Sequence, residues 1–196
     1  MRKVMRSFTR LTALLILSLW NYANVMADEV LIIDDRRTGD FRSALGTSWR
    51  PVTDTVMGGV SSGQLTLDNI EGRACLHLRG DVRLENNGGF VQAALDLKGK
   101  TPLDATAYRG VQLEVYGNNE VYNLHLRSAD IRMPWQSYRA SFTAPAGWHT
   151  VRLPFTGFEG HRISAPLDLE QLERIGIVAI GRAFRADLCI SGLALY

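Results

Sequence analysis

The sequence predicts an all-β protein, an antiparallel β-sandwich or jelly roll that resembles galactose-binding domains. Short segments with an apolar residue at every second position follow one another from residue 28 onward, and turn-forming residues such as Gly58-Gly59 separate them. Period two puts alternate side chains on opposite faces of a strand, and evenly spaced short strands are typical of sandwiches. The 196 residues, 46% hydrophobic and 21% charged, have the composition of a globular domain and not of a disordered chain.

The elements follow in order along the chain. One segment, 168–174, predicts a short helix because Leu169 and Leu172 are three residues apart just after Pro166. No internal repeat or linker interrupts the pattern, so residues 28–196 are predicted to form one jelly-roll domain. The predicted strands are 30–34, 64–67, 73–79, 82–84, 110–116, 122–127 and 184–190.

Residues 1–27 predict a secretory signal peptide. Basic residues without any acid precede an apolar segment at 11–20, which is too short to span a bilayer, and Ala27 precedes a plausible cleavage site. An uncleaved signal anchor and a mitochondrial presequence are the alternatives. Because the apolar segment is uninterrupted, we expect an exported protein, periplasmic or secreted. The basic residues are Arg2, Lys3, Arg6 and Arg10.

The charge of the predicted mature domain argues against nucleic acid as a partner. Without the four basic residues of the leader, 18 basic residues face 20 acidic ones, a net charge of −2. A nucleic-acid-binding domain carries a basic surface instead. No further segment is long enough to span a membrane once the signal is cleaved.

Motifs for catalysis and cofactors are weak or missing in the sequence. Gly59-Val60-Ser61-Ser62-Gly63 fits the nucleophile elbow of hydrolases, but a strand-like segment follows it where that motif needs a helix. The four histidines lack metal-ligand spacing, two cysteines exclude a four-cysteine zinc site, and no phosphate loop occurs. We therefore expect no catalytic residue, no metal site and no cofactor.

Alternation predicts a polar sheet face. Asn123, His125 and Arg127 alternate with leucines, and Cys75, His77 and Arg79 do the same on an earlier strand, so we expect one sheet face to carry both sets. That face is either a solvated outer surface or a sugar-binding groove, with Trp135 and Tyr138 as stacking platforms. Cys75 and Cys189 both lie on polar sides of strands, and they form either a disulfide, as is common in exported proteins, or two separate thiols.

Two glycine-rich segments provide a second set of candidate binding residues. The first, 49–61, contains Trp49, Asp54, Met57, Gly58 and Gly59. The second, 85–90, contains Asn87. Paired glycines let another chain or a ligand approach the backbone closely. Both segments could equally be architectural, one as a loop that packs against the domain and the other as a rigid turn.

These two segments carry a family resemblance. Asp54-Thr-Val-Met-Gly-Gly-Val-Ser61 followed by Leu84-Glu-Asn-Asn-Gly-Gly-Phe90 resembles the complex I intermediate-associated protein family. The match continues through 108–110, 138–142, 148–155 and Phe158 to Tyr196. The resemblance implies a galactose-binding-like jelly roll without established catalytic residues. It also implies a role like that of the mitochondrial chaperone-like members, which help to assemble respiratory complex I.

We therefore expect a non-catalytic module that binds a protein partner, such as respiratory complex subunits, in the assembly of a membrane complex. An exported carbohydrate-binding module is the alternative. A cleaved secretory leader would put the protein on the opposite side of the membrane from the known assembly factors, which act on the matrix side. A mitochondrial presequence would remove that difficulty.

Overall fold

Two antiparallel sheets packed face to face make up the computed structural model, which describes residues 29–97 and 99–196. The predicted leader, residues 1–27, lies outside the described residues. The strands are β1 (Leu31–Asp34), β2 (Arg50–Thr53), β3 (Ser62–Ile70), β4 (Arg73–Val82), β5 (Phe90–Asp96), β6 (Gly110–Tyr116), β7 (Glu120–Ser128), β8 (Ser137–Ala144), β9 (His149–Pro154), β10 (Glu159–His161), β11 (Leu172–Ile180) and β12 (Phe184–Leu195).

Within the described residues, each sheet has six strands. Sheet I has the order β3-β4-β12-β6-β9, with β1 also pairing with β12, and sheet II has the order β10-β8-β7-β11-β5-β2. Strands distant in sequence, such as β4 and β12 or β5 and β11, are neighbours because the chain crosses repeatedly between the sheets. The prediction of an antiparallel β-sandwich is confirmed.

The core lies between the sheets and follows the period-two pattern. Leu124 and Leu126 of β7 and Leu78 of β4 have no exposed surface, whereas the residues between them face outward. Burial of each such side chain contributes about 2 kcal/mol to stability. The alternation that predicted the strands therefore also fixes which side chains line each outer face.

The predicted helix at 168–174 is shorter in the structure. Only Leu169–Gln171 form a single 3-10 turn, after which β11 begins at Leu172. Leu172 exchanges two backbone hydrogen bonds with Leu103, of 2.8 and 3.0 Å, and its side chain is completely buried. Pairing with a segment distant in sequence thus ends the helical turn.

Cys75 and Cys189 form a disulfide between the neighbouring strands β4 and β12. Their Cα atoms are 5.5 Å apart, and 114 positions separate them in the sequence. A crosslink over so long a loop removes much conformational freedom from the unfolded chain.

Replacing both cysteines by serine should lower the free energy of unfolding by up to about 5 kcal/mol, the chain-entropy estimate for a loop of this length. Urea denaturation of the oxidised protein and of the double variant measures the difference. The double variant should be insensitive to a reducing agent, which serves as the control. Equal midpoints for the two proteins would contradict the prediction.

Candidate functional site

The two glycine-rich segments meet around the carboxylate of Asp54, which has no exposed surface. Residues 54–57 form a 3-10 turn directly after β2, and residues 85–87 form another just before β5. Asp54 accepts hydrogen bonds from Ser61 N at 2.9 Å and Ser61 Oγ at 2.5 Å. It also accepts them from the backbone of Gly89 at 2.5 Å and of Phe90 at 3.3 Å. We call this arrangement the Asp54 clamp.

Two glycines allow the backbone to reach the carboxylate. A Cβ atom at Gly59 would lie 2.3 Å from Asp54 Cγ, and one at Gly88 would lie 2.4 Å from Asp54 Oδ2. Any larger residue at either position would displace the carboxylate. Asp54 and Gly59 therefore have an architectural role, the second of the two interpretations that the sequence left open.

Hydrogen bonding keeps Asp54 ionised. Burial alone raises its pKa, but the donors of Ser61, Gly89 and Phe90 together bring the pKa below the ordinary value of aspartate. A buried carboxylate held by several donors is a stable internal anion, and no ligand can touch it from outside.

Apolar side chains cover the outside of the Asp54 clamp. Val56 is 71% exposed, Met57 62%, Leu84 50% and Val60 38%. We call these four residues the loop patch. The Asn86 side chain donates to Gly58 O at 3.3 Å and so joins the two loops that carry the patch. Gly58 and Asn87 are exposed beside it.

Trp49, predicted as a binding residue, belongs to the core. Only 4% of it is exposed, and its Nε1 donates to Asp34 Oδ2 at 2.5 Å. Asp34 in turn pairs with buried Arg36 at 3.2 Å. Because the indole is enclosed and its donor is used, Trp49 is not available to a ligand.

Asn123, His125 and Arg127 lie together on the outer face of sheet II, which we call the β7 face. Strand register arranges the residues of this face in three transverse rows. The central row runs Arg50, Ala94, Gly176, His125, Arg139, Glu159. One flanking row runs Val52, Gln92, Val178, Asn123, Ser141. The other flanking row runs Asp96, Arg174, Arg127, Ser137, His161.

Small side chains form the floor of the β7 face. Ala94 and Val178 are each only 1% exposed although they point outward, because larger neighbours surround them. A Cβ atom at Gly176 would lie 2.2 Å from Gln92 Nε2, so the Gln92 amide covers this glycine. Amide, imidazole and guanidinium groups therefore cover the small residues at the centre of this face.

His125 is the most unusual polar residue of the β7 face. Its Nε2 is buried and has no hydrogen-bond partner among the described residues. Burial, followed by the charge of Arg139, lowers the pKa of His125 to about 3. The ring is therefore neutral at physiological pH, and one ring nitrogen is left without a partner.

Arg127 organises the loop between β7 and β8. Its guanidinium donates to the carbonyls of Pro134 at 3.0 Å, Gln136 at 3.2 Å and Met133 at 3.4 Å. Trp135 lies in this loop and is 49% exposed. Arg127 thus fixes the backbone on both sides of an exposed indole.

Tyr138, the other predicted stacking platform, cannot serve as one. It is 1% exposed on the inner face of β8, and its hydroxyl lies 3.0 Å from Asp130 Oδ2 and 3.1 Å from the carbonyl of Ala165. The prediction failed because an aromatic residue in an alternating segment fits either face until its register is known.

The polar residues of β4 lie on a different face from those of β7. Cys75, His77 and Arg79 belong to sheet I, so the expected single polar face is in fact two. His77 Nδ1 lies 3.1 Å from Asp68 and its Nε2 lies 2.6 Å from Asp187. These side chains satisfy one another, and no set of three or more potential metal ligands occurs among the described residues.

Three residues of the β7 face were not predicted from the sequence, namely Arg139, Gln92 and Gly176. Arg139 was detectable, because Tyr138, Ala140 and Phe142 alternate with polar residues along β8. Gln92 and Gly176 were not, since β5 and β11 are central strands with nearly continuous apolar sequence.

The fold is similar to those of solved carbohydrate-binding modules. A family 11 module of a cellulosomal cellulase from Clostridium thermocellum has a TM-score of 0.67 and 13% identity, covering 86% of this chain and 95% of that one. The family 11 module from the same organism in complex with a β-1,3-1,4-mixed-linked tetrasaccharide has a TM-score of 0.66 and 13% identity, covering 86% and 96%. A family 30 module from that organism has a TM-score of 0.56 and 15% identity, covering 86% and 97%. These identities show the shared fold alone.

A sequence match covers most of the chain. Residues 39–190 match the family described as Complex I intermediate-associated protein 30, which confirms the resemblance expected from the glycine-rich segments. No curated protein matches the chain. Among the described residues, no helix has the length and apolar composition needed to cross a bilayer.

Replacing Asp54 by alanine should lower the free energy of unfolding by about 3 kcal/mol, because four donors lose their buried acceptor. Chemical denaturation measures the change. Asp81→Ala is the matched control, since Asp81 is exposed and its loss should change stability by less than about 0.5 kcal/mol. Equal effects of the two substitutions would refute the clamp.

The contribution of Asp54 should also depend on pH. Because its folded-state pKa is lowered, its stabilisation is complete above the unfolded-state pKa of about 3.9 and is lost as the pH falls through the folded-state value. The difference in unfolding free energy between the native protein and Asp54→Asn should therefore stay constant between about pH 5 and about pH 8. It should shrink below about pH 4. Denaturation curves across this range test the sign, and a difference that grows in acid would contradict it.

Proposed function

Because the chain belongs to the Complex I intermediate-associated protein 30 family, we propose that it is a non-catalytic module that holds a protein partner during assembly of a membrane complex. The loop patch is the observation that carries this proposal. It lies on residues 54–61 and 84–90, the segments that carry the family resemblance.

The loop patch has the properties of a protein-docking surface. Its four apolar side chains are 38–71% exposed, and Arg83, Glu85 and Asn86 border them. Exposed apolar patches with polar rims mark interaction sites on soluble domains. The Asp54 clamp fixes the backbone beneath the patch, so little conformational freedom is lost when a partner binds.

We further propose that the protein acts outside the cytoplasm. The disulfide between Cys75 and Cys189 supports an oxidising compartment, and the sequence of residues 1–27 supports export. The partner would then be a subunit or domain exposed on that side of the membrane. In a mitochondrial setting, the same surface would meet a respiratory complex subunit.

Carbohydrate binding is the second candidate function, and the β7 face favours it. Trp135 is 49% exposed in the loop whose backbone carbonyls accept hydrogen bonds from Arg127 of this face. Sugar ligands need hydrogen-bonding groups placed beside an apolar or aromatic surface. The similar family 11 module has been solved with a bound tetrasaccharide.

Replacing Met57 by aspartate should reduce recovery of the protein partner from solubilised membranes at least about tenfold, because it puts a charge in the centre of an apolar contact. Quantitative mass spectrometry of the captured proteins measures the effect. Recovery of respiratory or other membrane-complex subunits is the expected result for the native protein.

Met133→Asp is the matched control, since Met133 is also about half exposed but lies in the loop beside the β7 face. It should leave partner recovery unchanged. Equal recovery with Met57→Asp and the native protein would exclude the loop patch as the docking surface. Capture of envelope glycans without membrane subunits would favour the second candidate.

A further inference from the structure

The β7 face carries more positive than negative charge in its three rows. Arg50, Arg127, Arg139 and Arg174 are its arginines, and Asp96 and Glu159 are its acids. Asp96 is already engaged, since it pairs with Arg174 at 2.6 Å and with Arg50 at 3.5 Å. The other two guanidinium groups, those of Arg127 and Arg139, do not pair with Asp96.

Arg139 has no ion-pair partner among the described residues. Its only hydrogen bond there is from Nε to Ser137 Oγ, at 2.9 Å, although Glu159 is its neighbour in the row. Burial and the nearby charge of Arg162 lower the pKa of Arg139. A partly desolvated cation without a counter-ion is unfavourable, and an anion beside it would relieve that cost.

Arg127 adds a second positive charge to the β7 face. Its donors are used by three loop carbonyls, and no described carboxylate forms an ion pair with it. Burial and then Arg174 lower its pKa, with Glu173 acting in the opposite direction. The two arginines thus lie diagonally opposite each other on adjacent strands, Arg127 on β7 and Arg139 on β8.

His125 completes the group. It is the direct neighbour of Arg139 in the central row, and its buried Nε2 has no partner among the described residues. Once a ligand displaces the groups that cover it, Nε2 of the neutral ring can donate to a carboxylate held by the arginine when it carries the ring proton, or accept from a sugar hydroxyl when it does not.

We propose that the β7 face binds an acidic glycan, with a sugar carboxylate on Arg139 and His125 and neighbouring hydroxyl groups on Asn123 and Gln92. This inference rests on the second candidate function and names its ligand class. The row next to Arg139 carries the amides of Asn123 and Gln92, and an exposed indole lies in the loop beside Arg127, which suits a hydroxyl-rich acidic ligand better than an acidic peptide. The net charge of −2 outside residues 1–27 disfavours nucleic acid.

Binding of the purified protein to an array of glycans of matched length tests the proposal. The array carries uronic-acid, sulfated and neutral oligosaccharides, and a hexaglutamate peptide is included. We expect the uronic-acid glycans to bind most tightly, with an affinity that falls as salt rises. Arg139→Gln should weaken that binding about tenfold, and Arg139→Lys should weaken it less because the charge remains.

Arg152→Gln is the matched control, because Arg152 is an exposed arginine on β9 of sheet I. It should leave binding unchanged, and thermal melting of each variant checks that the fold is intact. A nitrogen-resolved NMR spectrum should show the His125 ring signal shifting when the uronic-acid glycan binds.

The outcomes separate the inference from the function on which it rests. Equal binding of neutral and acidic glycans, unaffected by Arg139→Gln, would overturn the acidic ligand and keep carbohydrate binding. Preference for sulfated glycans or for hexaglutamate would overturn the assignment of a sugar carboxylate. Failure of every glycan to bind would overturn both proposals.

Discussion

The buried carboxylate of Asp54 is the constraint on which this end of the molecule depends. It accepts hydrogen bonds from Ser61, just before β3 of sheet I, and from Gly89 and Phe90, where β5 of sheet II begins. One side chain therefore ties the two sheets together. Desolvation of an ion is costly, and charge-assisted bonds from four donors offset it. The paired glycines are a requirement of this arrangement, since they bring the backbone donors within reach.

Local sequence pattern predicted six of the twelve strands in the described residues, namely β1, β3, β4, β6, β7 and β12, and left the neighbours of each strand undetermined. Alternation identified β4, β6 and β7 because one face of each packs in the core. It could not show that β4 and β7 belong to different sheets, because pairing joins strands far apart in sequence. The helix expected at 168–174 stopped after Gln171 for the same reason, since the partner of Leu172 is Leu103.

The candidate site shows the same limit at the level of single residues. Asn123, His125 and Arg127 could be predicted as one face because they lie on one strand. Trp49 and Tyr138 could not be assigned to the core, since aromatic residues occur on both faces of a sheet and only packing decides. Asp54 and its glycines carried a recognisable pattern, but that pattern alone did not distinguish a ligand site from an internal anchor.

The absence of a side chain at Gly176 has a consequence for how the β7 face could change over evolution. The Gln92 amide lies where a Cβ would be, at the end of a flexible side chain that can rotate away. A single methyl group at position 176 would displace that amide toward solvent and change the outline of the β7 face at its centre. The outline of this face is therefore controlled at one position, where a replacement of glycine by alanine would change the polar surface without adding atoms to the core between the sheets.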